Sequence, residues 1–435
     1  MELADPEIDG RMPGERDLGT ERAVLLTLAA VQFTSIVDFM VIMPLGPQLM
    51  RTLEINPAQF GLVVSSYTLS AGLAGVVAST LVDRFGRKST FLTLYVGFLI
   101  GTLLCGLAPT YLALLAARVV TGAFGGVLGG LAMTIIGDVF PEERRGRATG
   151  TLMSAFSLAS IIGVPFGLYL GTRWGWHSPF LMLVALGLPV LGVGWWALPP
   201  LRGHLNKQVT NQFSKLVETY THPNHLRAFA LIVSVMFGTF MVVPFISPYL
   251  VANVGILEKD LPWLYVGGGL LALIGAPLVG WWADRVGKFP VYRVIAPLSA
   301  ALMIGLTTLP RAPLFVAVGF VALLMMTNSG RMVAAMAMVT GCVEPRLRGG
   351  FLSANSSVQH VSSGLGAFVA GLIIREGAHK ELLNYWVVGA IGAASTVLSI
   401  WLASRLKVAA PAMPAKDPKR SVAELVDAVP AAEAF

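Results

Sequence analysis

Apolar residues run along the chain in twelve blocks of about 20 or more, separated by short stretches that hold most of the charges. A helix needs about 20 apolar residues to cross about 30 Å of bilayer hydrocarbon. By that measure spans are predicted at about 23–48, 58–81, 89–108, 111–138, 148–171, 178–198, 227–252, 262–282, 290–309, 313–341, 350–374 and 383–405. The fourth and tenth exceed a perpendicular crossing and predict tilt or extension beyond the bilayer. None of the blocks has the alternation over about 10 residues that marks a β-barrel strand. The expected fold class is therefore an all-α membrane protein, with twelve transmembrane helices in two six-helix bundles.

Composition supports this picture. Of 435 residues, 55% are hydrophobic and 13% charged, against about 25% charged in soluble domains. So much apolar surface cannot be hidden in one water-soluble core. The net charge of +7 does not point to nucleic acid, because the basic residues form short clusters between apolar blocks. Cys105 and Cys342 lie inside apolar blocks, far apart, and read as small packing residues with no metal spacing. Residues 1–22 are polar and of mixed charge, which predicts no cleaved leader.

Charge changes the picture most in the loops. Those after even-numbered spans hold fifteen Lys and Arg, against six in the opposite loops. This bias predicts that the first set of loops and both termini are cytoplasmic, in an inner (plasma) membrane. The expected organisation is a tail at 1–22, a first bundle at 23–198, a linker at 199–226, a second bundle at 227–406 and a disordered tail at 407–435. In the linker, Phe213, Leu216, Val217 and Tyr220 recur at helical spacing, suggesting an amphipathic helix on the membrane surface.

The halves repeat. Asp83-Arg84-Phe85-Gly86-Arg87-Lys88 follows the second span, and Asp284-Arg285-Val286-Gly287-Lys288 follows the eighth. Arg145-Gly146 and Arg348-Gly349 close the fourth and tenth loops at nearly the same offset. Two motifs at one offset predict a duplicated six-helix unit. Charges in such tight loops can bridge helix ends. Asp83 with Arg144 or Arg145, and Asp284 with Arg348, are candidate partners in a cytoplasmic gate that would also include Arg84, Gly86, Arg87 and Arg285. Simple topology control by positive charge is the competing explanation.

The Asp83–Lys88 loop resembles the signature loop of the major facilitator superfamily. Arg118-Val119-Val120-Thr121-Gly122 resembles that superfamily's basic motif in the fourth span. Gly163-Val164-Pro165-Phe166-Gly167, followed by Trp174-Gly175-Trp176-His177-Ser178-Pro179-Phe180, is similar to the drug:proton antiporter branch, above all to sugar-efflux and arabinose-efflux-like permeases. The pattern departs at Ser79, where the signature has glycine, at Val164 before Pro165, and at His177, where arginine is usual. The resemblance implies alternating-access transport and a monomer.

Charges within spans are costly and mark cavities or partners. In the first half they are Asp38 and Arg118; in the second they are Arg331 and His360, which with Asn328, Asn355 and Gln359 nearby are candidate substrate-binding residues. Taking the first span to end near residue 48, Asp38 and Arg118 both lie roughly 10–15 Å below one surface and can meet. Burial favours a neutral acid and a neighbouring guanidinium favours the carboxylate, so protonation of Asp38 can follow hydration and substrate. Asp38 is the candidate proton carrier and Arg118 its modulator; a structural ion pair is the alternative. Arg331 has no acid in its half to neutralise it, which suits an anionic or carbonyl-rich substrate group, or else backbone carbonyls. Tyr67, Phe237, Phe240 and Met241 are candidates for an adaptable pocket lining, and equally for packing. Gly122, Gly126 and Gly130 recur every fourth residue and predict close helix packing.

These features predict a secondary transporter for a small organic or amphiphilic solute, with proton-coupled efflux favoured over uptake, uniport or Spinster-like lysolipid export. No cofactor or metal is expected, and the proton is the expected coupling ion. An enzyme is disfavoured, since HExxH, GxSxG and paired intramembrane aspartates are not found in the sequence.

Overall fold

The computed structural model describes residues 18–81, 84–200, 218–344 and 347–407. Twelve long helical segments are present among them. In the first half they are Leu18–Val41, Pro57–Leu81, Arg87–Leu107, Tyr111–Val139, Glu143–Trp174 and Ser178–Ala197. In the second they are Pro223–Val254, Leu261–Val286, Lys288–Thr307, Leu314–Gly341, Arg348–Ile373 and Tyr385–Ser404. They are referred to below as the first to twelfth spans. Eleven are long and apolar enough to cross a membrane. The remaining helix is the eleventh, which carries Asn355, Ser357, Gln359, His360, Ser362 and Ser363. A helix this polar within a bundle belongs against other protein rather than lipid.

The prolines explain where the spans bend. The first span ends at Val41, and a turn through Pro44 leads into a short helix, Gly46–Thr52. Proline supplies no N–H and its ring clashes with the preceding turn. The expected run to residue 48 is thus two helices. Pro244 and Pro248 break the seventh span in the same way, into a 3-10 turn at Val243–Phe245 and a π turn at Leu250–Val254. In the fifth span a π turn, Ala159–Gly163, precedes Pro165 and absorbs its missing hydrogen bond. A short hairpin pairs Arg375–Glu376 with Leu382–Leu383, an element not expected from the sequence.

Small residues set the helix spacing. A Cβ on Gly122 would overlap the Tyr67 carbonyl oxygen and Ser70 Oγ of the second span, and one on Gly126 would overlap Ala71. Gly130 differs from the expectation: nothing lies within 4 Å of its Cβ position. The same substitution should therefore act oppositely at two positions of one stripe. Gly122→Ala meets backbone that cannot yield and should cost about 1–3 kcal/mol. Gly130→Ala should leave stability unchanged or raise it by up to about 1 kcal/mol, the helix preference of alanine over glycine. Thermal unfolding of the two variants in detergent checks this.

The halves meet along two helix pairs. The second span lies against the eleventh, where a Cβ on Gly61 would stand 2.8 Å from the Ala367 carbonyl oxygen and 3.1 Å from Gly371 Cα. The fifth lies against the eighth, through Ile161 and Gly269. Lys and Arg gather where the second, fourth, eighth and tenth spans end, called here the basic face.

Candidate functional site

Asp38 sits in the last turn of the first helix, three residues from its end and not the expected ten, because the chain breaks before Pro44. It is nonetheless fully enclosed, as is Arg118. The Arg118 Nη1 donates to Asp38 Oδ2 at 2.7 Å, and Thr102 Oγ1 donates to Asp38 Oδ1 at 3.2 Å. Three spans thus converge on one carboxylate. Arg118 Nε and Nη2 have no hydrogen-bond partner among the described residues. The guanidinium lies instead over the Tyr67 ring, 4.5 Å from its centroid, a favourable face for a cation shielded from water.

Tyr67 leads out of the first half. Its ring stacks on Phe39 with centroids 5.3 Å apart, and Phe39 meets Phe240 of the seventh span at 5.9 Å. The ion pair is therefore joined to the other half by three aromatic rings. Phe237 is half-buried beside Phe240. Met241 is fully enclosed in the core and presents no surface to a cavity in this state, because its turn of helix packs against Gly366.

Arg331 is also fully buried, and its ligands are neutral. Nη1 donates to Thr396 Oγ1; Nη2 donates to Thr239 Oγ1 at 2.6 Å and to Asn328 Oδ1 at 3.1 Å. Ser299 donates to the same Asn328 oxygen at 2.9 Å. Nε has no partner among the described residues. The cation thus ties the seventh, tenth and twelfth spans through hydroxyls, and not through the backbone carbonyls offered as one alternative. Asn355 and Gln359 approach the tenth span at Met336, five residues beyond Arg331. His360 has no hydrogen bond to Arg331 or to any other described residue. The residues grouped around Arg331 in the sequence therefore form two places in this state.

The expected cytoplasmic gate is distributed differently. Asp83 lies outside the described residues, as do the Arg348 side chain and Phe213, Leu216 and Val217 of the expected linker helix; Tyr220 falls in a described helical turn. Arg144 bonds Glu21 of the first span at 2.8 Å, a carboxylate the sequence reading passed over. Arg145 donates to the carbonyls of Gly137 and Phe140 and so caps the fourth span. Arg87, which follows Gly86, bonds Asp138 at 3.1 Å. Lys288, at the matching place in the second half, donates to the Ala337 carbonyl. Arg84 and Asp284 are exposed, and Arg285 stacks on Trp281. Each of these contacts stays within one half.

The halves are pinned on the opposite face. Arg51, after the first span, forms a two-pronged ion pair with Glu258, before the eighth. Phe60 meets Phe245 edge-on at 5.5 Å nearby. The pair is partly exposed, so its own worth is about 0.2–1 kcal/mol. That still changes a two-state population by up to about fivefold. Arg51→Glu should shift the molecule toward a state open on this face, and Arg51→Glu with Glu258→Arg should restore the starting population. Distances between spin labels on residues 46–52 and 258–260 measure the shift.

The family model for the Major Facilitator Superfamily matches twice, at residues 28–229 and 228–431. The chain belongs to the Major Facilitator Superfamily. The two matches coincide with the two six-helix halves. Among curated superfamily relatives, the inner membrane transport protein YdhP of Escherichia coli is 24% identical over 83% of this chain and 91% of its own length. The transporter YtbD of Bacillus subtilis is 26% identical over 60% of this chain and 65% of its own length. Multidrug resistance protein 3 of Bacillus subtilis is 36% identical over 30% of this chain and 25% of its own length. Among solved superfamily folds, a D-xylose–proton symporter superposes with a TM-score of 0.74 at 15% identity, over 89% of this chain and all of that one. A bacterial Spinster homologue superposes at 0.71 and 19% identity, over 91% and 100%.

Thr102, Phe39, Thr239, Thr396 and the Arg51–Glu258 pair were not singled out in the sequence. Hydroxyls in spans are common and usually bond their own helix, as Thr121 does with Ala117. Nothing in spacing separates the few that reach across.

Proposed function

We propose that this superfamily transporter exports a small organic or amphiphilic solute in exchange for protons, with its basic face in the cytoplasm. The observation that carries the reading is the enclosed Asp38–Arg118 pair. Two opposite charges removed from water are poor stabilisers compared with apolar packing of the same volume. Their retention in a lipid-embedded core fits a working role.

The chemistry follows from the contacts. Protonation of Asp38 removes the charge that holds Arg118. The guanidinium is then left with the Asp38 backbone carbonyl, at 3.4 Å from Nη1, and the Tyr67 face. Because Tyr67 leans on Phe39, and Phe39 on Phe240, a move of Arg118 is felt where the two halves touch. Proton binding can thereby bias the halves between their two arrangements, which is what alternating access requires. The Arg51–Glu258 pin supports a state closed opposite the basic face. The orientation rests on the Lys and Arg excess of the basic face, and export on the partial likeness to Multidrug resistance protein 3.

Arg331 is the proposed solute contact. Neutral hydroxyls leave its charge uncompensated, so a carboxylate, phosphate or polarised carbonyl arriving beside Thr239 and Asn328 would be held strongly. Proteoliposomes with an imposed pH gradient test the whole reading. Solute should move against its gradient when protons flow the other way, and should not move so when the gradient is collapsed.

A further inference from the structure

On the basic face the seventh and twelfth spans frame a groove of about 430 Å³, lined by Leu226, Arg227, Ala230, Trp401, Leu402 and Arg405. We infer that this groove is a binding site for an anionic phospholipid, with its phosphate between Arg227 and Arg405. The inference requires only that the chain is embedded in a membrane, and stands apart from the proton-coupling proposal.

The groove is held open by fixed points at both ends. At the membrane surface Asn224 clamps the two spans. Its Nδ2 donates to the Lys407 carbonyl at 2.8 Å, and its Oδ1 accepts from the Lys407 amide at 3.2 Å. Nδ2 also reaches the Cys342 carbonyl at 3.0 Å. Deeper in the bilayer Ser234 and Ser395 bond each other's backbone carbonyls. Below that, a Cβ on Gly238 would stand 2.8 Å from the Gly392 carbonyl oxygen. The helices are tight at these levels and part between them.

Charge and depth select the occupant. Arg227, Arg405 and Lys407 are all exposed, and none of them makes an ion pair among the described residues. Arg405 lies 5.3 Å from the Trp401 ring centroid, and Trp401 is 55% exposed. Tryptophan and arginine at a span end mark the headgroup level. Two guanidiniums match a phosphate diester geometrically. Below them exposed Val233, Val397 and Leu398 offer an apolar bed for an acyl chain. Basic pockets between spans are suited to such headgroups.

The test uses the delipidated full chain in neutral detergent. Phosphatidylglycerol, phosphatidylcholine with the same chains, and glycerol phosphate are added separately. Bound lipid is read by native mass spectrometry and stability by the melting temperature. Wild type should retain phosphatidylglycerol and gain melting temperature with it, and should do neither with phosphatidylcholine or glycerol phosphate. Arg227→Gln with Arg405→Gln should weaken phosphatidylglycerol binding about thirtyfold, a loss scaled to two surface arginines. Arg22→Gln with Arg147→Gln, which removes the same charge elsewhere on the basic face, should not. Equal retention of phosphatidylcholine, an equal loss in the control pair, a full effect from glycerol phosphate, or no retention by wild type would each overturn the assignment.

Discussion

Asp38→Asn should abolish solute accumulation driven by a pH gradient while leaving solute exchange between the two sides of a proteoliposome intact. Exchange needs only that the loaded carrier change sides, whereas accumulation needs the proton to be carried back. The amide keeps an oxygen for Arg118 or Thr102 but cannot take up and release a proton. Folding must be separated from coupling in this experiment. Removing one charge of a buried pair costs about 3–5 kcal/mol, because the partner is left uncompensated. Asp38→Asn alone should therefore lower the melting temperature. Adding Arg118→Gln removes the stranded cation and should recover much of that loss. Coupling should stay absent in the stable double variant. Recovery of both properties together would make the pair a strut and not a proton site.

Arg331→Gln should have the opposite thermal signature. The cation is enclosed, with no acid beside it, and a charge at this depth costs about 2.5–3.5 kcal/mol on insertion scales. Glutamine retains one donor group for Thr239 or Thr396 and discards the charge. The empty protein should melt at the same temperature or higher. The rise in melting temperature on adding solute should vanish, and transport with it. If the three hydrogen bonds were there only to hold helices together, the empty protein would instead lose about 1–3 kcal/mol, and solute would still stabilise it.

Most of the architecture was legible because lipid imposes it. Every span boundary set by a change from apolar to polar residues was read to within a few residues. The boundaries that moved were those set by other physics. The first span stops early because Pro44 breaks it inside an apolar run, where hydropathy has no signal. The fifth is longer than read because Glu143, Arg144 and Arg145 are helical but project beyond the apolar zone. Asp38 and Arg118 could be paired in advance since so few charges lie within spans, even though the helix carrying Asp38 ends three residues beyond it and not ten. Arg51 and Glu258 could not, being 207 residues apart among many loop charges. The gate partners proposed from the repeated loops were drawn from the loops alone, and so missed Glu21 at the start of the first helix. Gly130 shows the same limit: spacing puts it on a face, but only the neighbouring helix decides whether that face is filled at its level.

Proton release on solute binding tests the central claim most directly. Purified protein in weakly buffered detergent solution would be mixed with a solute chosen from organic anions and sugars by its effect on melting temperature, with a pH dye as the reporter. Wild type should release protons, saturating with solute occupancy, and Asp38→Asn with Arg118→Gln should bind the solute and release none. Binding without release in wild type, or unchanged release in the double variant, would contradict Asp38 as the proton carrier.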